Sequence, residues 1–164
     1  MPSGRFYTID SGLVTLASTT QTPILAGITT ATSTCDILAI RIGIYSGSSV
    51  SYPANGTVQC TLARTSAAPT GGAASTASPQ NPSDIAANTL WKNGSTAITA
   101  ITTPGVTLWN QILPFTAGAN WGEWVPGGAE WRIGASTTIG VALYLTCSSA
   151  GTATQFQAEL VFVE

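Results

Sequence analysis

Strand-like alternation of apolar and polar residues is the dominant pattern along this chain. It is clearest over residues 36–45 and 138–147, and residues 57–64 and 154–163 repeat it. Alternate side chains of a strand point to opposite faces, so each segment is predicted to bury one face, and the residues between, such as Tyr144, are expected to face outward. The residues predicted to share a face within each strand are Leu38, Ile40, Ile42 and Ile44; Val58, Cys60 and Leu62; Ile139, Val141, Leu143, Leu145 and Cys147; and Phe156, Ala158, Leu160 and Phe162.

Shorter strand candidates occupy much of the remaining chain. An Asn93-Gly94 pair predicts a hairpin turn before a strand over residues 97–103, and Pro23 favours an edge position for its segment. No apolar residues recur at helical spacing over a full helix length. About eight short strands separated by Gly/Pro turns are typical of a sandwich, and a long central excursion suits a jelly roll. We predict an all-β, single-domain antiparallel β-sandwich that is jelly-roll-like. The other candidate strands are residues 13–17, 22–26, 107–114, 121–125 and 130–133.

The 164 residues fit one domain with two irregular parts. Residues 1–12 are predicted to form an extended N-terminal arm, and residues 13–164 the sandwich. Residues 65–88 are rich in Ala, Ser, Thr, Gly and Pro, which predicts a long loop. Such a loop is either a solvated surface excursion or an arm that is ordered against a neighbouring subunit.

Low charge restricts the classes of partner. Charged residues are 7% of the sequence and the net charge is −2, whereas about a quarter of residues are usually charged. Five scattered cations cannot follow a phosphate backbone, so nucleic acid is not an expected partner. A weakly charged surface favours association with like surfaces. No apolar run is long enough for a membrane span and no secretory signal is evident, so synthesis in a cytoplasm is expected.

Residues that could carry chemistry are few. The chain has no histidine, and Cys35, Cys60 and Cys147 are predicted to be free buried thiols, with a Cys60–Cys147 bridge as the alternative if their strands are neighbours. Glu123 and Glu130 bracket a turn and could form the carboxylate pair of a glycosidase, but pairing of one of them with Arg132 is the expected arrangement. We expect no enzymatic activity, no metal and no cofactor.

Four of the five tryptophans lie between Leu108 and Thr146. Exposed tryptophans can stack on sugar rings, as in a carbohydrate-binding module or a host-attachment lectin of a head fibre or tail. They can equally pack into a neighbouring protein, because aromatic residues are enriched at protein interfaces. Both interpretations remain open from the residues alone.

The order of these features resembles that of small structural proteins of tailed bacteriophages, a family of capsid decoration or minor capsid proteins. The matching pieces, within residues 13–164, are LVTLASTTQTPILAGIT, ILAIRIGIYSGSS, TVQCTLARTSAAPTGG, PGGAEWRIG and the apolar C-terminus ending in FVE. Residues 121–124 and the arm do not match the family pattern. The resemblance implies a non-enzymatic β-sandwich on the outer surface of a capsid, made in the host cytoplasm, commonly as a homotrimer, with the major capsid protein as partner. We predict that capsid or subunit contacts come from Arg5, Phe6, Tyr7, Trp121, Glu123 and Trp124.

Overall fold

The computed structural model describes residues 4–16, 19–45, 56–99, 101, 104–114, 121–125, 131–148 and 154–164, with the side chains of residues 44, 45, 121, 122 and 154 left out. Strands dominate these residues, and no α-helix occurs among them. The strands are β1 (Phe6–Asp10), β2 (Val14–Leu16), β3 (Thr22–Ile28), β4 (Cys35–Tyr45), β5 (Thr57–Arg64), β6 (Thr70–Ser75), β7 (Ser78–Pro79), β8 (Leu90–Thr99), β9 (Thr107–Pro114), β10 (Trp121–Trp124), β11 (Arg132–Ile133), β12 (Val141–Cys147) and β13 (Thr154–Val163).

Two antiparallel sheets pack against each other, which confirms the predicted all-β sandwich. Sheet A has the order β10-β4-β13-β1-β7, with β11 also paired to β4 and β2 to β13. Sheet B has the order β6-β8-β3-β12-β5-β9. Strands that follow one another in sequence mostly lie in different sheets, so the sheets are built from pairings between distant parts of the chain.

The main core lies between the sheets, and most of the predicted apolar faces supply it. All four predicted residues of β13 are fully buried, as are Val58, Cys60 and Leu62 of β5. Val141, Leu143 and Leu145 of β12 are fully buried as well, but Ile139 precedes the strand and is 49% exposed. The periodicity therefore predicted the inner faces of three strands correctly, but it began β12 too early, at Ile139.

A β-bulge changes the alternation within β4. Val161 of β13 lies opposite Ala39, whereas the next residue, Phe162, lies opposite Ile37, so Leu38 has no partner in the ladder. The extra residue reverses the phase of the side chains. Ile40 and Ile42 point inward as predicted, but Ile37 replaces Leu38 in the core, and Leu38 is only partly buried.

Part of the outer face of sheet B is covered by the end of β8 and by the described residue 101 that follows it. Ile98 of β8 and Ile101, which follows the strand, are buried in a second cluster with Ala26, Ala63, Ala142 and Tyr144. The Tyr144 hydroxyl donates a hydrogen bond of 2.9 Å to the Ile101 carbonyl oxygen. Tyr144 does face away from the main core, as predicted, but it is 0% exposed because the residues of this cluster cover it.

The segment predicted as a long loop contains two short strands. β6 extends sheet B by pairing with β8, and β7 extends sheet A by pairing with β1. The Asn93-Gly94 pair is not a hairpin turn, because both residues lie within β8. A Cβ atom at Gly94 would come within 2.9 Å of the Ile24 Cα atom, so close approach of backbones accounts for glycine there.

Candidate functional site

Residues 5–10 of the predicted N-terminal arm are part of the sandwich, and residues 1–3 lie outside the described part of the structure. β1 lies between β13 and β7, and the Arg5 amide donates a 2.9 Å hydrogen bond to the Glu164 carbonyl oxygen. Arg5 approaches Asp84 at 3.8 Å, and Phe6 is 36% exposed, so both side chains are accessible. The alternation of Phe6 and Thr8 with Tyr7 and Ile9 was the sequence signal for a strand here.

Tyr7 was wrongly predicted as a contact residue. It is 1% exposed, and its ring stacks on Phe162 with centroids 5.4 Å apart. Its hydroxyl donates a 3.0 Å hydrogen bond to the Ile85 carbonyl oxygen, and burial raises the pKa of Tyr7. Tyr7 belongs to the core because alternation on β1 turns it toward sheet B.

Three tryptophans close one side of the sandwich, where β9 ends sheet B and β10 borders sheet A. The Trp109 ring lies 5.1 Å from that of Trp124 and 6.1 Å from that of Trp131, both at steep angles. Trp131 is 6% exposed, and Trp109 and Trp124 are partly buried against the main core. We call these three residues the tryptophan junction. Inclined rings of this kind stabilise a contact between sheets and do not form a flat platform for a sugar.

The other predicted residues of this stretch are described only in part. Trp121 lies opposite Gly43 in the β10–β4 ladder, and its side chain is outside the described part of the structure, as is all of Glu130. Val125, directly after β10, is 68% exposed, and Ile112 of β9 is 57% exposed. Aliphatic side chains at these two edge segments were not among the predicted contact residues, because edge positions are not visible from local sequence.

Opposite charges on sheet A are paired across neighbouring strands. Arg41 of β4 bonds Glu123 of β10 on one side and Glu159 of β13 on the other, the latter at 2.5 Å. These hydrogen bonds raise the pKa of the Arg41 guanidinium. One oxygen of the Glu123 carboxylate is therefore bound to Arg41 on an exposed sheet face.

Arg132 binds Asp36 and not Glu123, which was one of the two carboxylates predicted to pair with it. Its Nε and Nη2 atoms donate hydrogen bonds of 2.6 and 2.8 Å to the two Asp36 carboxylate oxygens. The hydrogen bond from Arg132 lowers the pKa of Asp36. The two residues are brought together by β11 pairing with the start of β4, a contact between positions 96 residues apart.

The three cysteines are free buried thiols, as predicted, and the alternative of a Cys60–Cys147 disulfide is not found. Cys60 and Cys147 do lie on adjacent strands, but Cys60 faces Leu145 and Cys147 faces Val58. The two are diagonal neighbours, which are farther apart than directly opposed residues. Burial raises the pKa of the Cys60 thiol to about 12 and raises those of Cys35 and Cys147, so none of them is a ready nucleophile.

Groups for other chemistry are sparse in the described parts of the chain. No three His, Cys, Asp or Glu residues there could hold a metal ion, and no helix there is long and apolar enough to cross a membrane. A cavity of about 300 Å³ lies between β6 and the start of β8, lined by residues 74–77, 87 and 89–92. Lys92 is its one charged lining residue, so it contains no pair of titratable groups.

No family model matches the chain, and no curated protein matches it.

Proposed function

We propose that this protein is a non-enzymatic structural protein of a phage virion that binds the outer surface of the capsid and self-associates there. The observation that carries the proposal is the side of the sandwich formed by β9 and β10. The exposed side chains Ile112 on β9 and Val125 directly after β10 belong to the two segments that carry two of the three packed rings of the tryptophan junction. Glu123 is ion-paired with Arg41, which also pairs with Glu159. Aromatic residues at a surface depleted of free charge are typical of the centre of a protein interface.

Strand pairing supports the jelly-roll form of the sandwich. Four antiparallel pairs are nested along the chain: β1 with β13, β3 with β12, β4 with β10, and β5 with β9. These eight strands give the orders β1-β13-β4-β10 and β3-β12-β5-β9, as expected when a long antiparallel ribbon wraps into two sheets. Jelly rolls serve as capsid and as lectin domains, so the topology fits both this function and the glycan-binding alternative.

Charge pairing supports protein over nucleic acid as the partner. Arg5, Arg41 and Arg132 each contact a carboxylate of the same chain. A cation that is already paired releases few counterions when it meets a phosphate. The expected partners are the major capsid protein and further copies of this chain, for which the family resemblance implies a trimer.

Binding to shells assembled without this protein tests the proposal. Wild-type protein is mixed with shells of the major capsid protein and co-sedimentation is measured. We expect saturable binding that weakens at least about tenfold, or 1.4 kcal/mol, for Val125→Asp. Leu90→Asp is the matched control, since Leu90 is equally exposed at 62% but lies on β8, near the opposite edge of sheet B.

Two results would contradict the proposal. Wild-type protein that fails to bind shells at any concentration would remove the capsid as partner. Binding to host-wall glycans with no binding to shells would favour the lectin alternative instead.

A further inference from the structure

The edges of the two sheets differ in how well they are protected against pairing with another chain. In sheet A, β10 and β11 are four and two residues long, and β7 is two residues long and ends on Pro79. At one edge of sheet B, β6 contains Gly71 and Gly72 with φ near +65°, and its register against β8 is shifted there. Short strands, proline and irregular backbone all make poor templates for a further strand.

β9, at the other edge of sheet B, is neither short nor irregular, although it ends on a proline as β7 does and its Ile112 carbonyl oxygen accepts a 3.3 Å hydrogen bond from Gln111 Nε2. It is eight residues long, and from Trp109 to Pro114 it pairs with β5 in unbroken register. Within the described residues, β5 is its one strand partner. Its sequence, TLWNQILP, contains no charged residue, and proline occurs only at its end.

We infer that β9 is a self-association edge, which pairs antiparallel with β9 of a second copy about a two-fold axis and continues sheet B into that copy. Free backbone groups of an edge strand provide the affinity in such strand addition. An identical strand suits this edge because an uncharged sequence places no like charges opposite each other. The contact of Trp109 with the tryptophan junction holds β9 in place, so little order has to be gained on pairing.

This inference goes beyond the proposed function, because it concerns the free protein and involves no capsid. A two-fold contact through a single edge closes with two copies. It therefore makes a dimer of a monomer, and a hexamer of a trimer when the three edges of one trimer meet those of one second trimer. The number of copies in solution is predicted to be even.

The test is the mass of the purified full chain in solution, measured by light scattering after size exclusion and compared with 16.7 kDa per copy. We expect an even number of copies, reduced by half in Ile112→Lys, which places like charges near each other across the two-fold axis. Leu90→Lys is the control and should leave the number unchanged, since Leu90 lies on β8, an inner strand of sheet B far from β9. Circular dichroism and urea midpoints establish that both variants are folded.

A mixture of variants provides a second measurement. Ile112→Glu alone should also halve the mass, and an equimolar mixture with Ile112→Lys should restore it at low salt. An odd number of copies in the wild type, including one, would overturn the inference. So would a mass that Ile112→Lys leaves unchanged, or a mixture that stays at the halved mass. None of these results depends on whether the protein binds shells.

Discussion

Tyr144→Phe tests whether a single buried hydrogen bond holds the connection that leads into β9. The hydroxyl donates to the Ile101 carbonyl oxygen at 2.9 Å, and Tyr144 is 0% exposed. Phenylalanine keeps the ring, so no cavity forms, but the buried carbonyl loses its partner. An unpaired buried polar group costs about 1–3 kcal/mol. In a domain of this size, that corresponds to a fall in melting temperature of about 2–4 °C per kcal/mol.

The pH dependence of this effect has a defined sign. Burial raises the pKa of Tyr144 to about 12, from an ordinary value of 10. Above pH 10 the unfolded chain therefore loses this proton before the folded chain does, and the free energy of unfolding falls as pH rises toward 12. A difference of two pKa units corresponds to about 2.7 kcal/mol at most. Tyr144→Phe lacks this loss, so the wild-type advantage seen at pH 7 should shrink between pH 10 and 11.

Urea denaturation at pH 7 and at pH 10–11 measures both effects, and a change in midpoint with a constant m-value reports stability. Tyr7→Phe is the matched control. Its hydroxyl bonds the carbonyl of Ile85, a residue that is 59% exposed, so water can replace the lost partner and the cost should be below about 1 kcal/mol. A Tyr144→Phe variant within about 0.5 kcal/mol of wild type at pH 7 would refute the reasoning, because surface substitutions cost no more than that.

Three further predictions concern the core, the ion pairs and the thiols. Phe162→Ala should lower the free energy of unfolding by about 3–5 kcal/mol in urea, since Phe162 is 0% exposed and contacts the rings of Tyr7 and Trp91; a loss below 1 kcal/mol would contradict its place in the core. Arg41→Ala should cost about 0–1 kcal/mol, because Arg41 is 43% exposed, and the loss should diminish in high salt. Cys60 and the other two thiols should react with a thiol reagent at pH 8 only after denaturation, and rapid labelling of the native protein would show that the raised pKa or the burial is wrong.

Alternation predicted the fold well where a strand is regular and paired on both sides. β13 lies between β4 and β1, and its four predicted core residues from Phe156 to Phe162 are all fully buried, although Val161 on the other face is only 8% exposed. The predicted alternation was wrong at Leu38. The bulge there is set by how β4 aligns with β13, and the sequence of β4 alone does not specify that alignment. A single unpaired residue was enough to exchange Leu38 for Ile37 in the core.

Non-local pairing also explains the parts of the candidate site that were missed. Residues 65–88 have the composition of a loop, yet β6 and β7 are strands because β8 and β1 offer them hydrogen-bonding partners. Likewise, Arg132 was assigned to a nearby carboxylate, whereas β11 carries it to Asp36. The tryptophan-rich stretch was recognised from the sequence, but the packing of Trp124 and Trp131 against Trp109 of β9 depends on where two different sheets end.

The self-association inferred for β9 depends both on its sequence and on its position in sheet B. That residues 107–114 are uncharged is evident from the sequence, but the same is true of residues 70–75, which form β6. Lack of charge matters for association only where a strand has one side unpaired and a backbone regular enough to accept a partner. Among the described residues both strands are sheet edges, and the two left-handed glycines then distinguish β6 from β9. An edge that could be blocked by one lysine, and is not, is best explained if pairing through it is part of how the protein assembles.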